Sequence, residues 1–404
     1  MNIQNTFVGI AAAILACTGA AVFVIDAANS AGYNQAELVS WIFAIYAFGG
    51  IASLILTLSS KMPLIGAHSL TTVVFLSVSA LYYSLPELVG SYIIAGLFIV
   101  VIGFTGVFNR LIKMVPTPLI DAMLAGLLLN YVVKMFPAIK ELPIVGGLAI
   151  LGFFITPFIS NKIPRFIGAL LLGTFGLFIF YPVSGFSGIQ LVIPEVIMPQ
   201  FSVVGIISLS LPITFLILSN ESAVALSSLK KNGYNPPISR TIIVSGIATT
   251  MAGFFGGHAA GVGGMTTALC SSSDAGPKEK RYWAAVIAGS IIALFGIFAW
   301  FTIPFIQLLP GAYLTIIAGF SLLGILTGSL HSAFANNQYY ISTTFTFIVA
   351  VSGISMFQIS SAVWALLVGI ITAKVLKEGQ DKENVNSRVK PLLSSNNINV
   401  DSNQ

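Results

Sequence analysis

Charge is what this sequence lacks most. Only 8% of its 404 residues are charged, whereas 56% are hydrophobic and the mean hydropathy is +0.95. A soluble domain would carry roughly 25% charged residues, so a soluble globular protein is excluded. The net charge of +5 does not indicate nucleic-acid binding, because the basic residues lie in short loops between apolar runs. The composition predicts a polytopic membrane protein.

Cysteine and histidine are also scarce, with two and three residues respectively. Cys17 and Cys270 fall in apolar runs, where small buried residues are expected rather than a disulfide or a metal site. His68 and His258 lie in separate apolar runs. A zinc site has three or four protein ligands, so these two histidines do not make one. The chain has no GxxxxGK(S/T) phosphate loop and no catalytic Ser/His/Asp or metal-protease spacing. We therefore expect no enzyme, no ATP-driven pump, no cofactor and no metal.

Apolar runs long enough to cross a bilayer, about 20 residues each, recur along the chain. They predict an all-α membrane protein of fourteen spans, at residues 7–28, 37–60, 64–82, 86–108, 117–136, 143–160, 165–182, 203–229, 238–255, 257–273, 281–301, 307–328, 338–355 and 358–377. The first run lacks a basic n-region and a cleavage site, so it is expected to be a retained span. Residues 378–404 are polar and are expected to form a disordered cytoplasmic tail.

The basic residues agree with this count. With the N-terminus inside, all of the 18 Lys and Arg residues except Lys134 and Lys140 fall on the cytoplasmic side. The positive-inside rule predicts this excess of basic residues on the cytoplasmic side, and a miscounted span would move many of them to the opposite side. Both termini are therefore predicted to be cytoplasmic.

A polar connection at 184–202 separates two halves, residues 1–183 and 203–377, with seven predicted spans each. An odd number of spans places the halves in opposite orientations. Short similar segments occur in the same order in both halves. The pairs are Gly32-Tyr33-Asn34 with Gly233-Tyr234-Asn235, Asp26 with Glu221, and residues 66–72 with residues 257–267. Inverted repeats with paired broken helices are an architecture of secondary transporters, whose site lies at the repeat interface.

The third and tenth spans are the predicted broken helices. Gly66 precedes one helix, and five glycines between 256 and 264 precede or interrupt the other. Backbone that leaves the helix at membrane depth is tolerated only where protein buries it or where it lines a cavity. A helix N-terminus carries about half a positive charge and free N–H donors, so two such ends would bind a carboxylate. Close helix packing by small residues is the alternative interpretation.

The predicted substrate contacts combine these backbone segments with nearby polar side chains. They are Ser69, Thr71, Thr72, Asn220, Gly257, His258, Gly261, Gly264, Thr266 and Thr267.

Glu221 is the predicted proton carrier. It precedes Lys230 by nine residues, which places it about 13 Å from the cytoplasmic end of a helix. A carboxylate at such depth faces the bundle interior and is a functional-site candidate; a static carboxyl that ties helices together is the alternative. His258 and His68 are weaker candidates: either could bind the substrate or relay protons, because imidazole titrates near physiological pH, and a structural histidine fits each position as well.

Five segments carry a family resemblance: GFTGVFNRLI at 103–112, AMLAGLLL at 122–129, GYNPP at 233–237, GVGGMTTALC at 261–270 and RYWAA at 281–285. They resemble the benzoate/proton symporters of bacteria, and the match runs over most of residues 5–376. That family is similar in fold to uracil and anion transporters with seven plus seven inverted repeats.

The resemblance implies a core domain of spans 1–4 and 8–11 and a gate domain of spans 5–7 and 12–14. It implies substrate between the half-helices of spans 3 and 10, beside Glu221 at the polar position of span 8, and an elevator-like motion of core against gate. The chain departs from the family pattern at Ala67-His68-Ser69-Leu70, where a Ser-Thr-Pro-Gly run is common, and at Asn220-Glu221. The substrate therefore need not be benzoate.

We expect a proton-coupled importer of benzoate or a related small carboxylate in the bacterial inner membrane. Its partners would be that carboxylate, protons and the lipid bilayer, with no nucleic acid; a homodimer is compatible with the sequence. Two alternatives stay open: a proton-coupled transporter of nucleobase-like rings, and an uncoupled anion exchanger or channel. A nucleobase would use Glu221 as an acceptor for ring N–H groups, whereas an anion site would tolerate its neutralisation for binding but lose proton coupling.

Overall fold

The structure is a computed structural model that describes residues 3–17, 19–108, 110, 116–159, 165–181, 191–335, 337–354, 356 and 361–379. The chain is mostly helical over these residues. Its α-helices are Ile3–Cys17, Gly19–Ser30, Gln35–Ser60, Leu70–Ser79, Leu85–Thr105, Thr117–Glu141, Pro143–Ile159, Arg165–Phe180, Val203–Lys231, Ile238–Gly253, Gly264–Ser271, Tyr282–Ile297, Ala299–Gln307, Gly311–Phe334, Tyr340–Ser352 and Ser361–Val375. Two short strands, β1 (Gly66–Ala67) and β2 (Gly261–Val262), pair with each other.

Six helices within the described residues are long and apolar enough to cross a membrane. They are Gln35–Ser60, Leu85–Thr105, Thr117–Glu141, Val203–Lys231, Lys278–Ile297 and Gly311–Phe334. Others are apolar but shorter, and the predicted tenth span is reduced to an α-helix of eight residues, Gly264–Ser271. A helical membrane protein is thus confirmed, while the count of fourteen spans stays a prediction. Most of the predicted tail, from residue 380, and residues 184–190 of the connection lie outside the described residues.

The helices form two packing groups. In the first group, Leu85–Thr105 packs along Ile238–Gly253, and Tyr282–Ile297 packs against Ile3–Cys17 and against Gln35–Ser60. The face of Tyr282–Ile297 that meets these neighbours is made of small residues, because its fully buried positions include Ala284, Ala285 and Ala288. Small side chains allow helix backbones to approach closely where lipid offers no hydrophobic drive.

The second group is built around Thr117–Glu141, which packs against Gly311–Phe334, Tyr340–Ser352 and Ser361–Val375. Pro143–Ile159 and Arg165–Phe180 pack on each other and complete this group. The two groups meet where Gly311–Phe334 reaches Gly19–Ser30, and where Leu70–Ser79 touches both Thr117–Glu141 and Ser361–Val375.

The strand pair joins two distant parts of the first group. Gly66 lies opposite Val262, and Ala67 lies opposite Gly261, in antiparallel register. The Gly263 amide donates to the Ile65 carbonyl at 2.8 Å, and the Val262 amide donates to Ser245 Oγ at 3.1 Å. Backbone donors outside a helix must find such partners at membrane depth, because no water is there to bind them.

Gly66 is required by a close backbone approach. A Cβ at this position would overlap the carbonyl oxygen of Gly49 on the helix Gln35–Ser60. That oxygen belongs to the main chain, so it cannot rotate away as the end of a side chain could. Gly147, in contrast, has open space where its Cβ would lie. The helix Gln35–Ser60 therefore holds β1 in position only while residue 66 has no side chain.

We predict that Gly66→Ala destabilises the protein by roughly 1–3 kcal/mol, because overpacking against a fixed backbone atom forces a shift of the strand pair. The effect is measured as the midpoint of thermal unfolding of the detergent-solubilised protein, with size-exclusion chromatography to quantify the protein that remains folded. Gly147→Ala is the matched control and should leave the midpoint unchanged or raise it, since Ala favours the helix. Equal midpoints for the two variants would contradict the close approach.

Candidate functional site

The first short helix, Leu70–Ser79, begins at a serine cap. Ser69 is extended, and its Oγ accepts a hydrogen bond from the Thr72 amide at 3.3 Å and another from Thr72 Oγ1 at 2.9 Å. A serine at this position satisfies a donor that the helix cannot satisfy internally. Thr71 Oγ1 also lies 3.0 Å from Ser69 Oγ. The predicted threonines of this segment therefore support the cap.

The second short helix, Gly264–Ser271, begins directly against the long helix Val203–Lys231. A Cβ at Gly264 would lie 2.9 Å from the Asn220 carbonyl oxygen and 2.9 Å from Val224 Cβ. Glycine is thus needed for the helix start to come this close. The facing segment of the long helix, Ile217–Ser222, is a wide π-helical turn, a feature that occurs often at functional sites.

Glu221 links the two helix starts through its carboxylate. The Gly264 amide donates to Oε2 at 2.9 Å, and Ser69 Oγ donates to Oε1 at 3.2 Å. Both contacts use the carboxylate as an acceptor, which is the only role that an ionised carboxylate can take. In its ionised form this carboxylate also lies at two helix N-termini, where the helix dipole favours a negative charge. The structure thus brings together three residues that are far apart in the sequence.

A cavity of about 70 Å³ opens beside this carboxylate. Its wall combines backbone and side chains of both packing groups: Leu15, Ala16, Ala67, His68, Leu70, Glu221, Gly263, Gly264, Met265, Thr266, Ser321 and Ile325. Ser321 and Ile325 belong to Gly311–Phe334, and the other residues come from the first group. The cavity is therefore enclosed between the two packing groups rather than within one of them.

His68 lies on the cavity wall and is 5% exposed. Its Nε2 lies 3.2 Å from Tyr46 Oη, and Tyr46 Oη donates to the Ala16 carbonyl at 3.0 Å. Its Nδ1 is buried and has no hydrogen-bond partner among the described residues.

His258, in contrast to His68, has a protein partner at both ring nitrogens. Trp41 Nε1 donates to Nδ1 at 2.9 Å, and Nε2 lies 3.1 Å from the Ser69 carbonyl oxygen. The side chain is fully buried, and it does not contribute to the cavity wall within the described chain. Since the indole can only donate, Nε2 carries the proton and donates to Ser69. Both ring nitrogens thus bind protein, and the role of His258 in substrate contact or proton coupling stays a prediction.

Of the predicted substrate contacts, Gly264 and Thr266 lie on the cavity wall, and Ser69 reaches it through Glu221. The remaining ones are not among the described residues that line the cavity: Thr71, Thr72, Asn220, Gly257, Gly261 and Thr267. Thr267 holds nearby backbone instead, because its Oγ1 accepts the Ile65 amide at 3.2 Å.

Sequence reasoning missed the wall residues of two other helices. Leu15 and Ala16 lie on Ile3–Cys17, and Ser321 and Ile325 lie one helical turn apart on Gly311–Phe334. Ser321 is an isolated polar residue in an apolar run, and such a residue is a weak signal because serine is common in membrane helices. The run that holds Leu15 and Ala16 carried no glycine pattern comparable to that of residues 256–264.

Secondary transporters place their site at discontinuous helices whose N-termini point into it, and the starts of Leu70–Ser79 and Gly264–Ser271 meet at Glu221 beside the cavity in this way. The fold and the site thus define a membrane transporter. The chain belongs to the benzoate membrane transport protein family, BenE, whose model matches residues 1–375. This is a family of transporters, and the protein is not an enzyme.

Two bacterial proteins are similar over almost the whole chain. The inner membrane protein YdcO of Escherichia coli is 29% identical over 374 residues, which cover 91% of this chain and 94% of that protein. The benzoate membrane transport protein of Acinetobacter baylyi is 28% identical over 381 residues, covering 93% of this chain and 95% of that protein.

Solved structures share the fold at low sequence identity. The transmembrane domain of a cyanobacterial bicarbonate transporter, BicA, superimposes with a TM-score of 0.60 at 17% identity, covering 92% of this chain and 97% of that domain. SLC26A9 superimposes with a TM-score of 0.63 at 13% identity, covering 92% of this chain and 64% of that one. At this level of identity the likeness shows the fold alone.

We predict that Ser69→Ala destabilises the protein by about 1 kcal/mol or more, because it removes the helix cap and one of the two donors to Glu221. Ser77→Ala is the matched control on the same helix, since the Ser77 hydroxyl donates a hydrogen bond to the Val74 carbonyl of its own helix at 2.7 Å. The difference between their unfolding midpoints in detergent measures the contribution of the Ser69 contacts. A Ser69→Ala midpoint no lower than that of Ser77→Ala would contradict the assigned role.

Proposed function

We propose that the protein is a proton-coupled symporter of benzoate or a related small carboxylate. The observation that carries this proposal is the Glu221 carboxylate, held by Ser69 and Gly264 at the starts of both short helices and forming part of the cavity wall. A substrate carboxylate needs the same donors that this carboxylate uses. The relatives in the same family, one of them named as a benzoate transport protein, support the substrate class.

Charge repulsion supplies the coupling. If benzoate enters the cavity while Glu221 is ionised, two carboxylates compete for the same helix N-termini, and like charges at that separation cannot both be accommodated in a low-dielectric site. A proton on Glu221 removes one charge and turns its carboxyl group into a donor. The anion and the proton would therefore bind together. In this mechanism Glu221 holds the proton, while the helix N-termini and Thr266 hold the substrate.

The proposed architecture has fourteen spans in two inverted repeats of seven, with broken helices at Leu70–Ser79 and Gly264–Ser271. Support comes from the two short helices, which start on either side of one antiparallel strand pair. The first packing group corresponds to the proposed core domain and the second group to the gate domain. The cavity lies between them, so an elevator-like displacement of core against gate would carry the bound substrate.

We further propose a location in the bacterial inner membrane, with both termini cytoplasmic. The basic residues of the loops support this orientation by the positive-inside rule, and a relative in Escherichia coli is named as an inner membrane protein. The partners in this proposal are the carboxylate, protons and the bilayer; assembly as a homodimer is compatible with it.

Uptake of labelled benzoate into proteoliposomes tests the coupling. With an inward proton gradient, wild-type uptake should exceed the level reached without a gradient, because each anion enters with a proton. Glu221→Gln, which is permanently neutral, should bind benzoate but lose the gradient-driven accumulation. Glu195→Gln changes an exposed glutamate of the connection and should behave like wild type.

Three outcomes separate the alternatives. Benzoate accumulation that ignores the gradient in the wild type would contradict symport and favour an uncoupled exchanger or channel. Gradient-driven uptake of uracil, with no uptake of benzoate, would assign the substrate to the nucleobase class. Accumulation by Glu221→Gln equal to that of Glu195→Gln would remove Glu221 from the coupling step.

Relative motion of the two packing groups is testable by cross-linking. Met265 and Ser321 line the cavity from the first and the second group respectively, so a bifunctional thiol reagent that joins Met265→Cys to Ser321→Cys should stop transport. The background replaces the buried Cys17 and Cys270 with alanine. Either single cysteine, treated with the same reagent, should leave a larger share of the uptake. Full transport by a quantitatively cross-linked protein would exclude the elevator-like displacement.

A further inference from the structure

The cavity beside Glu221 is too small for the ring of an aromatic substrate. Its volume is about 70 Å³, whereas an engineered apolar cavity that binds benzene measures about 150 Å³. A carboxylate group is smaller than a ring and suits the polar wall at Glu221. If the substrate carboxylate lies there, the ring attached to it needs other space in this conformation of the protein.

A second cavity, which we call the ring cavity, has a volume of about 260 Å³. Cys17 and Phe295 line it from the first packing group, and Leu170, Tyr313 and Ile317 line it from the second. Cys17, Tyr313 and Ile317 are buried. The ring cavity therefore reaches into the interior between the two packing groups, as the cavity beside Glu221 does.

The two cavities are neighbours along the same two helices. Ala16 lines the cavity beside Glu221, and the next residue, Cys17, lines the ring cavity. On Gly311–Phe334, Ile317 lines the ring cavity, and Ser321 lines the cavity beside Glu221. Four residues of a helix span about 6 Å, so one small molecule can reach from one cavity to the other.

A single aromatic side chain connects the walls of the two cavities. The ring centroid of Tyr46 lies 5.1 Å from that of His68 and 4.9 Å from that of Phe295, with both pairs edge to face. This is a preferred arrangement of aromatic rings. His68 lies on the wall beside Glu221, and Phe295 lies on the wall of the ring cavity. The packing of Tyr46 thus fixes the two walls relative to each other.

The ring cavity suits the apolar part of a ligand and not its charge. The hydroxyls on its described wall belong to Tyr313 and Thr302. Thr174 Oγ1 donates to the Leu170 carbonyl and accepts from Tyr313 Oη, both at 2.6 Å, and Thr302 Oγ1 donates to the Ala299 carbonyl at 3.4 Å. Both wall hydroxyls thus use their protons within the protein. A carboxylate, which can only accept, would lose its hydrogen bonds to water there without replacement.

We propose that the ring cavity is the aromatic subsite of the substrate site. The carboxylate lies beside Glu221, and the ring extends past Ala16 and Cys17 into the ring cavity. Because this cavity is larger than the cavity that holds benzene, the preferred substrate carries more apolar surface than benzoate, as a second fused ring or as an apolar substituent opposite the carboxylate. This inference rests on the proposed transport of carboxylates and specifies its substrate class.

Isothermal titration calorimetry on the purified full-length protein in detergent tests the inference. The probes are benzoate and 2-naphthoate. The naphthoate should bind about tenfold or more tightly, since one added methylene in an apolar pocket already gives a difference of that size. Binding of 2-naphthoate no tighter than that of benzoate would overturn the inference and leave carboxylate transport intact. If neither carboxylate binds, the proposed function itself fails.

Two neighbouring leucines provide a matched pair of variants. Leu170→Trp fills the ring cavity, so 2-naphthoate should then bind no more tightly than benzoate. Leu171→Trp makes the same substitution at a side chain that is 64% exposed and does not line the ring cavity within the described chain, and it should keep the wild-type preference. A preference for naphthoate that survives in Leu170→Trp would overturn the inference.

A second measurement does not depend on the folding of any variant. In a crystal structure of the wild type with 4-iodobenzoate, the anomalous signal of iodine should lie in the ring cavity, near Phe295 and Ile317. Iodine found only outside the ring cavity, or a lipid acyl chain in its place, would overturn the assignment.

Discussion

The site depends on one carboxylate that meets two helix starts. Leu70–Ser79 and Gly264–Ser271 each begin inside a membrane bundle, where free amide donors are expensive. Glu221 is equally expensive there as an isolated charge. The Gly264 amide and the Ser69 hydroxyl bind its two oxygens, so the helix starts and the half-buried carboxyl group stabilise one another.

A second layer of side chains keeps these two starts in register. Ser245 and Thr249 accept the amides of Val262 and Ala260, and His258 donates to the Ser69 carbonyl. Each contact joins an irregular backbone segment to a neighbouring helix or to the opposite helix start. The strand pair and both short helices are consequently tied into one body. That rigidity is what a site needs if it is to move across a membrane without losing its geometry.

The sequence identified the segments of the site better than the roles of their residues. Glycine density and a lone glutamate in an apolar run pointed to the helix starts at Leu70 and Gly264 and to Glu221, because both signals reflect local backbone and charge. His68 and His258 could not be ranked in the same way. Their roles depend on Tyr46 and Trp41, which lie on another helix, and on proton positions that only the folded network determines. Ser321 was missed because its contribution is a contact between distant packing groups.

The arrangement also explains why selectivity and coupling need separate groups. On the proposed mechanism, Glu221 and the helix N-termini respond to charge, and any small carboxylate would present that charge equally well. Discrimination among carboxylates must therefore come from neutral groups, in the ring cavity or on the same cavity wall. Besides Glu221, the polar side chains on that wall among the described residues are His68, Thr266 and Ser321. On this mechanism, a change at one of them would alter which anion is carried while leaving the proton step at Glu221 in place.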